Sequence, residues 1–310
     1  MSSFERTLVF ILGPTGSGKS AFALRLAEER GGEIISCDSM QVYRGFDIGT
    51  DKPSAEDRAR VPHHLIDVAD AGTQFHAADF AALALEAIAA VRERERIPLV
   101  VGGTGLYFKA LEDGLFPGPG RDEAVRSALD AEAGERGPEV LWERLAAVDP
   151  AYAAKTGRRD RIRIVRALEV FTLTGRPISE HFKRTEGLLG DERPVKIGLD
   201  RPRADLYRRI EERVDRMFDR GLIEETRRLL AGGVPESAAP FKALGYKHVL
   251  RLLRGEIGPD EAAALTKIDT RHYAKRQMTW FRKMPGVRWI QPDETDPASV
   301  LPAPGRAERR

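Results

Sequence analysis

The chain has one cysteine, Cys37, so it cannot build an internal disulfide framework or a cysteine-rich zinc module. A reducing, cytoplasmic setting is the expectation. Long apolar runs are missing as well, which leaves no candidate membrane span. The opening "MSSFERTLVF" lacks the basic, apolar and small-residue order of a secretory signal. A strong charge of either sign is absent too. The formal net charge is +2 over 310 residues, so any nucleic-acid partner must be met by locally clustered cations. No internal repeat is visible, and the apolar fraction, 42%, is that of an ordinary globular protein.

What is present begins with the apolar run "TLVFIL", followed by Gly13-Pro14-Thr15-Gly16-Ser17-Gly18-Lys19-Ser20. This stretch fits the phosphate-loop pattern G-x-x-x-x-G-K-[ST], with a strand before it and the amphipathic pattern "KSAFALRLAEERGG" after it. Glycines let backbone amides turn inward, a helix start adds positive potential, and Lys19 adds a full charge. Ser20 is placed to hold a magnesium ion through its hydroxyl. The pattern selects a polyphosphate without saying which one.

"EIISCDS" reads as a second strand, "FHAADFAALALEAIAAVRERER" as a helix and "IPLVVGGTG" as a third strand. This alternation predicts an α/β fold, a P-loop-type parallel sheet core with helices on both faces and its functional residues at the carboxyl edge. The first part of the core spans 1–120. Prolines and glycines in "DGLFPGPG" then mark a boundary, and 121–190 carries helical patterns only, "RDEAVRSALDAEAGERG", "PEVLWERLAAVD" and "RDRIRIVRALEVFTLTG". It reads as a helical insertion domain. "RPVKIGLDRP" restores a strand. "ADLYRRIEERVDRMFDRGLIEETRRLLAGG" and "PDEAAALTKIDTRHYAKRQMTWFRK" are long helical stretches that complete the core to 292. The proline-rich, charged tail 293–310 is expected to be disordered.

Asp38, at the end of the second strand, has three readings that spacing leaves open. It is a water-mediated magnesium ligand, a general base beside the phosphate site, or the cap of the turn "DSMQ". In "VGGTGLYF", Gly102, Gly103 and Gly105 suit close approach of a ligand, and Thr104 offers a hydroxyl. Arg159, Arg163 and Arg166 fall near one helical stripe. Arg271 with Lys275, and His272 with Arg276, are i,i+4 pairs near Tyr273, Trp280 and Phe281. Such faces suit a phosphate backbone, although solvated helix surfaces look the same. His63-His64 has no third ligand at metal spacing and reads as a turn feature. Cys37 reads as a small buried apolar residue.

Taken in order, "GPTGSGKS", "SCDSMQVYRGFDIGT.KP", "VGGTGLYFKAL", "IRIVRALEV", "RIEERVDRMFDRGLIEE", "ALGYK" and "AKRQMTWFRK" resemble the tRNA dimethylallyltransferases, also called tRNA isopentenyltransferases, from about Leu8 to Trp289. The chain departs from that pattern at Ile162, where the family commonly has glutamine, and it lacks the zinc-finger extension of some eukaryotic relatives. The resemblance implies transfer of a dimethylallyl group from dimethylallyl diphosphate to the exocyclic amine of the adenosine 3′ of the anticodon, in tRNAs reading codons that begin with U. The loop would then hold an isoprenoid diphosphate rather than ATP, with magnesium as cofactor at Ser20. Asp38, Thr104 and Arg213 are the implied catalytic residues: Asp38 accepts the proton, and Arg213 neutralises the diphosphate. Implied contacts to the tRNA anticodon stem-loop are Asp38-Ser39-Met40-Gln41, Thr104, Arg126, Ile162-Arg163-Ile164-Val165-Arg166 and Phe241-Lys242-Ala243-Leu244-Gly245-Tyr246-Lys247. No membrane partner is expected, and the chain is expected to act as a monomer. A P-loop small-molecule kinase would leave "VGGTGLYF" and the basic helices without a role. A non-enzymatic RNA-binding protein would leave the phosphate loop idle. A transferase acting on free adenine nucleotides would not need the insertion.

Overall fold

The computed structural model describes residues 7–116, 118–137, 139–183 and 185–301. Two compact units emerge, one formed by 1–111 with 191–310 and the other by Glu112–Gly190.

In the first unit the chain runs β1 (Val9–Leu12), α1 (Lys19–Arg30), β2 (Gly32–Cys37), α2 (Ala55–Arg60), β3 (His63–His64), α3 (Ala77–Glu93), β4 (Ile97–Gly102) and α4 (Gly105–Asp113), the division between units falling inside the last turn of α4. The second unit holds α5 (Glu123–Arg136), α6 (Glu139–Val148), α7 (Pro150–Ala153), α8 (Arg161–Thr174) and α9 (Ile178–Phe182). The chain then returns to the first unit with β5 (Val195–Leu199), α10 (Arg203–Asp219), α11 (Leu222–Ala231), α12 (Leu244–Leu253), α13 (Pro259–Phe281) and β6 (Val287–Ile290).

The described strands form one parallel sheet in the order β3-β2-β4-β1-β5-β6. Parallel strands need crossover connections, which place helices on both faces and bury the strands almost entirely. Alternation along β1 divides its side chains between two cores. Val9 and Ile11 join Phe22 and Leu26 of α1 on one side. On the other, Phe10 meets Phe108 of α4 at 5.1 Å, and Phe108 meets Phe281 of α13 at 6.0 Å. Because β1 lies inside the sheet with its loop at the carboxyl end, the phosphate loop opens beside the ends of β2 and β4.

Four sequence expectations change. The stretch from Ala204 to Gly233 is two helices rather than one run, since Gly221 adopts φ 92° between α10 and α11. The tail is ordered as far as it is described. Pro297–Val300 forms a 3-10 turn, and Val300 and Leu301 are buried against α1, whose Arg30 donates to the Ala298 carbonyl at 2.9 Å. Residues 302–310 lie outside the described residues. His63-His64 is not a turn but a short strand paired with Ile34 and Ile35, and His64 meets the Glu33 carboxylate at 2.7 Å. The strand β6 was not anticipated.

The helical unit starts at Glu112, ahead of the glycine–proline stretch taken as its border. Gly114 does not serve as a linker residue. It has φ 77°, and a Cβ there would lie 2.0 Å from the Glu186 carbonyl, because outgoing and returning backbones pack closely. The unit has its own core, with Leu129 of α5, Leu141 and Leu145 of α6, and Ile164, Val165 and Leu168 of α8 at its centre. Beside that core the carboxylate of Glu169, with no exposed side-chain area, receives a bidentate pair from Arg126 at 2.7 and 2.9 Å and a bond from Arg166 at 2.6 Å.

Candidate active site

The phosphate loop joins β1 to the first turn of α1. Gly18 caps α1 in a left-handed conformation, φ 94°, that side chains rarely adopt. The loop's carbonyls are held from outside, that of Gly16 by Arg209 at 3.2 Å and that of Ser17 by Arg201 at 2.8 Å. Fixing carbonyls outward leaves neighbouring amides available to an anion, at a helix start that already favours negative charge. Lys19 Nζ donates to the Pro14 carbonyl at 2.8 Å. Burial and then the nearby Arg213 pull the Lys19 ammonium down from 10.5 to about 7, against the opposing carboxylates of Asp38 and Asp51. An anion in the loop would reverse that balance.

Thr15 ties the loop to two helices. Its hydroxyl accepts from Arg213 Nη1 at 2.7 Å, and its amide donates to Gln277 Oε1 of α13 at 2.9 Å. Gln277 Nε2 donates in turn to the Gly103 carbonyl at 2.9 Å, so one buried amide bridges the phosphate loop and the end of β4. The glycines of "VGGTG" make room for protein groups, and Gly102 and Gly103 also line the cavity of the site. A Cβ on Gly103 would lie 2.2 Å from Gln277, and one on Gly105 2.2 Å from the Trp280 indole.

At the end of β2, Asp38 Oδ1 accepts from the amides of Met40 at 2.8 Å and Gln41 at 3.3 Å. It does cap its turn, while no hydrogen bond among the described residues reaches its second oxygen. Thr104 Oγ1 accepts from the Ser39 amide at 3.1 Å and so supports the Asp38 turn from β4. Gln41 receives Ser36 Oγ at 2.9 Å and donates to the carbonyls of Thr50 and Asp51 at 3.3 and 3.1 Å. Downstream, the buried Glu225 of α11 gathers the amides of Asp47, Ile48 and Gly49 and the hydroxyl of Tyr246. Buried Lys52 bonds the Tyr43 carbonyl and the carboxylates of Asp47 and Asp67. These bonds fix the block "VYRGFDIGTDKP" as a wall.

Between these walls lies a cavity of about 410 Å³. Thr15, Lys19, Ser20, Asp38, Asp51 and Arg213 form its polar part, and Met40, Val101, Val214, Met217 and Leu244 supply apolar surface. Lys242, Tyr273 and Arg276 also line it. Burial, with Asp38 nearby, pushes the Tyr273 phenol up to about 12, so it stays a neutral donor. The cavity can receive a diphosphate and a short apolar group, with a carboxylate oxygen available to take a proton.

Of the residues expected from sequence, Thr15, Lys19, Ser20, Asp38, Ser39, Met40, Gln41, Arg213, Lys242, Ala243, Leu244 and Gly245 meet on this cavity. Thr104 stands behind Asp38 instead of lining it. Phe241 and Tyr246 are buried, their rings packed on Phe46 at 5.1 Å each, so they build the wall and do not face a partner. Lys247 is paired with Asp269 at 3.0 Å. In the helical unit Ile164 and Val165 are core residues, Arg126 and Arg166 are engaged by Glu169, and Ile162 and Arg163 are exposed. Of the basic face on α13, Arg271 pairs with Glu211, while Arg276 reaches the cavity. Gln277, Glu225 and Asp51 were missed. Asp51 falls at the variable position inside one matched block, and Glu225 and Gln277 lie inside two others, "RIEERVDRMFDRGLIEE" and "AKRQMTWFRK", where nothing local marks their buried bonding roles.

No described helix is long and apolar enough to cross a membrane. Residues 41–284 match the IPP transferase family. The chain is 51% identical over 292 residues to a tRNA dimethylallyltransferase of Geobacter metallireducens, with 94% of each chain covered. It is 50% identical over 297 residues to that of Geobacter sulfurreducens, with 95% of each covered. Among solved structures it is similar to the full-length tRNA isopentenylpyrophosphate transferase of Bacillus halodurans, at 40% identity and TM-score 0.69, covering 95% of this chain and 93% of that one. It is also similar to a eukaryotic dimethylallyltransferase acting on tRNA, at 28% identity and TM-score 0.78, covering 92% and 74%. On sequence and on fold alike, the chain belongs to the IPP transferase family, the family of the tRNA dimethylallyltransferases.

Proposed function

We propose that this enzyme transfers a dimethylallyl group from dimethylallyl diphosphate to the N6 amine of the adenosine 3′ of the anticodon, in tRNAs reading codons that begin with U, releasing diphosphate and N6-dimethylallyladenosine. The supporting observation is the single cavity that joins a phosphate loop, apolar surface and the open oxygen of Asp38. The loop amides, Lys19 and Arg213 bind the diphosphate and neutralise the charge that grows on it as the allylic carbon–oxygen bond breaks. Met217, Val214 and Leu244 suit the five-carbon chain and exclude water from the developing cation. As the carbon–nitrogen bond forms, N6 loses a proton to the second oxygen of Asp38, whose first oxygen is fixed by two amides. Thr104 holds the Asp38 turn in place.

No group of three or more His, Cys, Asp or Glu residues that could hold a metal occurs among the described residues. Magnesium needs none, since it keeps several waters and takes one or two protein oxygens beside phosphate oxygens. The Ser20 hydroxyl and a carboxylate of the cavity fit that donor set. When bound, magnesium supplies charge neutralisation to the leaving diphosphate. The target adenine must leave its stack to enter a cavity of this size, at a cost of a few kcal/mol. Exposed cations such as Lys242 and Arg276 are placed to help offset it. Action on tRNA puts the enzyme in the cytoplasm.

The test is incubation with radiolabelled dimethylallyl diphosphate, magnesium and bulk tRNA, without ATP. Label should enter tRNA. Transfer of label from the γ-phosphate of ATP to a small molecule, with no prenylated tRNA, would instead make the protein a kinase.

A further inference from the structure

Arg213 is held on two sides at the cavity. Nη1 donates to the Thr15 hydroxyl of the phosphate loop at 2.7 Å, and Nε faces the Asp51 carboxylate at 3.2 Å. Asp51 itself lines the cavity, so a second anion stands where a diphosphate would compete for the same guanidinium. Its backbone is not free to follow a ligand. The φ of Asp51 is +52°, in the left-handed region, and this conformation is held from several directions. The Asp51 amide donates to the Ile48 carbonyl at 3.0 Å, and its carbonyl accepts from Gln41 at 3.1 Å. Glu225 gathers the three amides just upstream, and Lys52 is tied down just downstream. The backbone that carries the carboxylate is thus fixed beside the guanidinium. Asp51 is 42% exposed and Arg213 24% exposed in their side chains, so the pair is screened by solvent and separable at modest cost.

We propose that Asp51 is an anionic latch for Arg213, competing with diphosphate for its guanidinium, so that it limits how tightly diphosphate is retained. The inference rests on the reading of the loop as a diphosphate holder. Asp51 then has a role opposite to that of Lys19. Both act on the same ligand charge, one attracting it and the other repelling it and competing for its arginine. Product diphosphate would otherwise be held by the full set of cations and leave slowly.

The experiment is calorimetric titration of inorganic pyrophosphate into the full chain, as wild type, Asp51→Asn, Asp51→Gly and Lys19→Ala, with magnesium and again with a chelator. Asparagine keeps the shape and tolerates φ +52°, and glycine relieves any strain there, so at least one neutral variant is suited to folding. Both should bind pyrophosphate about two- to fivefold more tightly than wild type, an effect of the size expected for a screened charge pair, and the gain should shrink at high salt. Unchanged affinity in both variants would overturn the latch. Weaker binding confined to the magnesium series would also overturn it and make Asp51 a metal ligand. Lys19→Ala separates the two claims. If it leaves pyrophosphate affinity intact, the loop does not hold diphosphate at all. If it weakens binding while the Asp51 variants do nothing, only the latch fails.

Discussion

The helical unit and the cavity of the sheet unit are both rich in cations, but they use them differently. In the helical unit the buried Glu169 takes two arginines, and the remaining donors of Arg166 go to the carbonyls of Pro119 at 2.8 Å and Gly120 at 3.4 Å. Arg158 rests on the Trp142 ring at 4.4 Å, and Arg161 pairs with Asp130 at 2.5 Å. In the cavity, among the described residues, Lys19 has only a carbonyl partner, Arg276 lies near a tyrosine ring, and Lys242 has no carboxylate partner. The first set is committed to holding a fold, whereas in the second Arg213 alone of the four cavity cations faces a carboxylate, Asp51 at 3.2 Å, and the other three remain available to a ligand. Burial explains the contrast, because a carboxylate inside a core must be fully paired, whereas cations at a cavity can wait for an anion.

The carboxylates mirror the cations, which gives the strongest way to break the comparison. Asp38 has one oxygen committed and one open, while both oxygens of Glu169 are spent. Asp38→Asn keeps the oxygen that caps the turn and loses proton acceptance. Turnover should fall about 10²- to 10⁴-fold, with pyrophosphate and tRNA affinity within a few-fold of wild type and no rescue by added magnesium. Steady-state kinetics beside binding titrations would show it. Recovery at high magnesium would make Asp38 a metal ligand, and a lower melting temperature with normal turnover would make it structural.

Glu169→Gln should do the reverse, costing stability rather than chemistry. Burial alone would raise the Glu169 carboxyl, but hydrogen bonds from Arg126, the Asp122 amide and Arg166 outweigh it and hold the group down to about 2. A depressed carboxyl contributes stability that is present above its unfolded value, near 4.5, and is lost as pH falls toward 2. That contribution is about 3 kcal/mol at neutral pH, an upper figure because both arginines are partly exposed. Hydrogen exchange of α5 and α8 in the full chain should show weaker protection in the variant at pH 7. The difference from wild type should shrink between pH 4.5 and 2. A difference independent of pH would mean that packing, not the charge, holds these helices.

Much of this arrangement could be read from sequence because its signals are local. The loop from Gly13 to Ser20 identifies itself by spacing, and β1, β2 and β4 are continuous apolar runs bounded by glycine or a polar turn. The strand β6, "VRWI", escaped because it lies at the sheet edge with only Ile290 buried, so no apolar run marks it. Gln277 escaped for a different reason. Its partners Thr15 and Gly103 lie 262 and 174 residues away, and a single amide on a polar helix resembles a surface residue. Arg126 is expected at a nucleic-acid face from the resemblance and Arg166 also from its helical stripe, and neither signal says whether a buried acid already holds the arginine. Phe241, Ile164 and Val165 enter because the resemblance covers whole segments, although successive helical positions are turned by about 100° and do not share one face.

Ile162 offers the smallest effect and sharpens the comparison from its third side, a residue of the helical unit that neither packs nor pairs. It is 82% exposed in the first turn of α8, just after Asp160, which caps the helix through the Arg163 amide at 3.3 Å. Water therefore loses little when this side chain changes, and glutamine suits a helix slightly better than the β-branched isoleucine. Ile162→Gln should leave stability within about 0.5 kcal/mol of wild type. If this turn meets tRNA, the new amide adds at most a neutral hydrogen bond, about 1 kcal/mol, lowering the tRNA KM by up to roughly fivefold with kcat unchanged. Ile162→Asp should raise that KM, since a carboxylate there would face phosphate, and the rise should diminish at high salt. Identical tRNA KM values for wild type and both variants would place the turn outside the tRNA footprint. A large loss of stability in Ile162→Gln would show that the side chain packs after all and belongs with the committed residues of the fold.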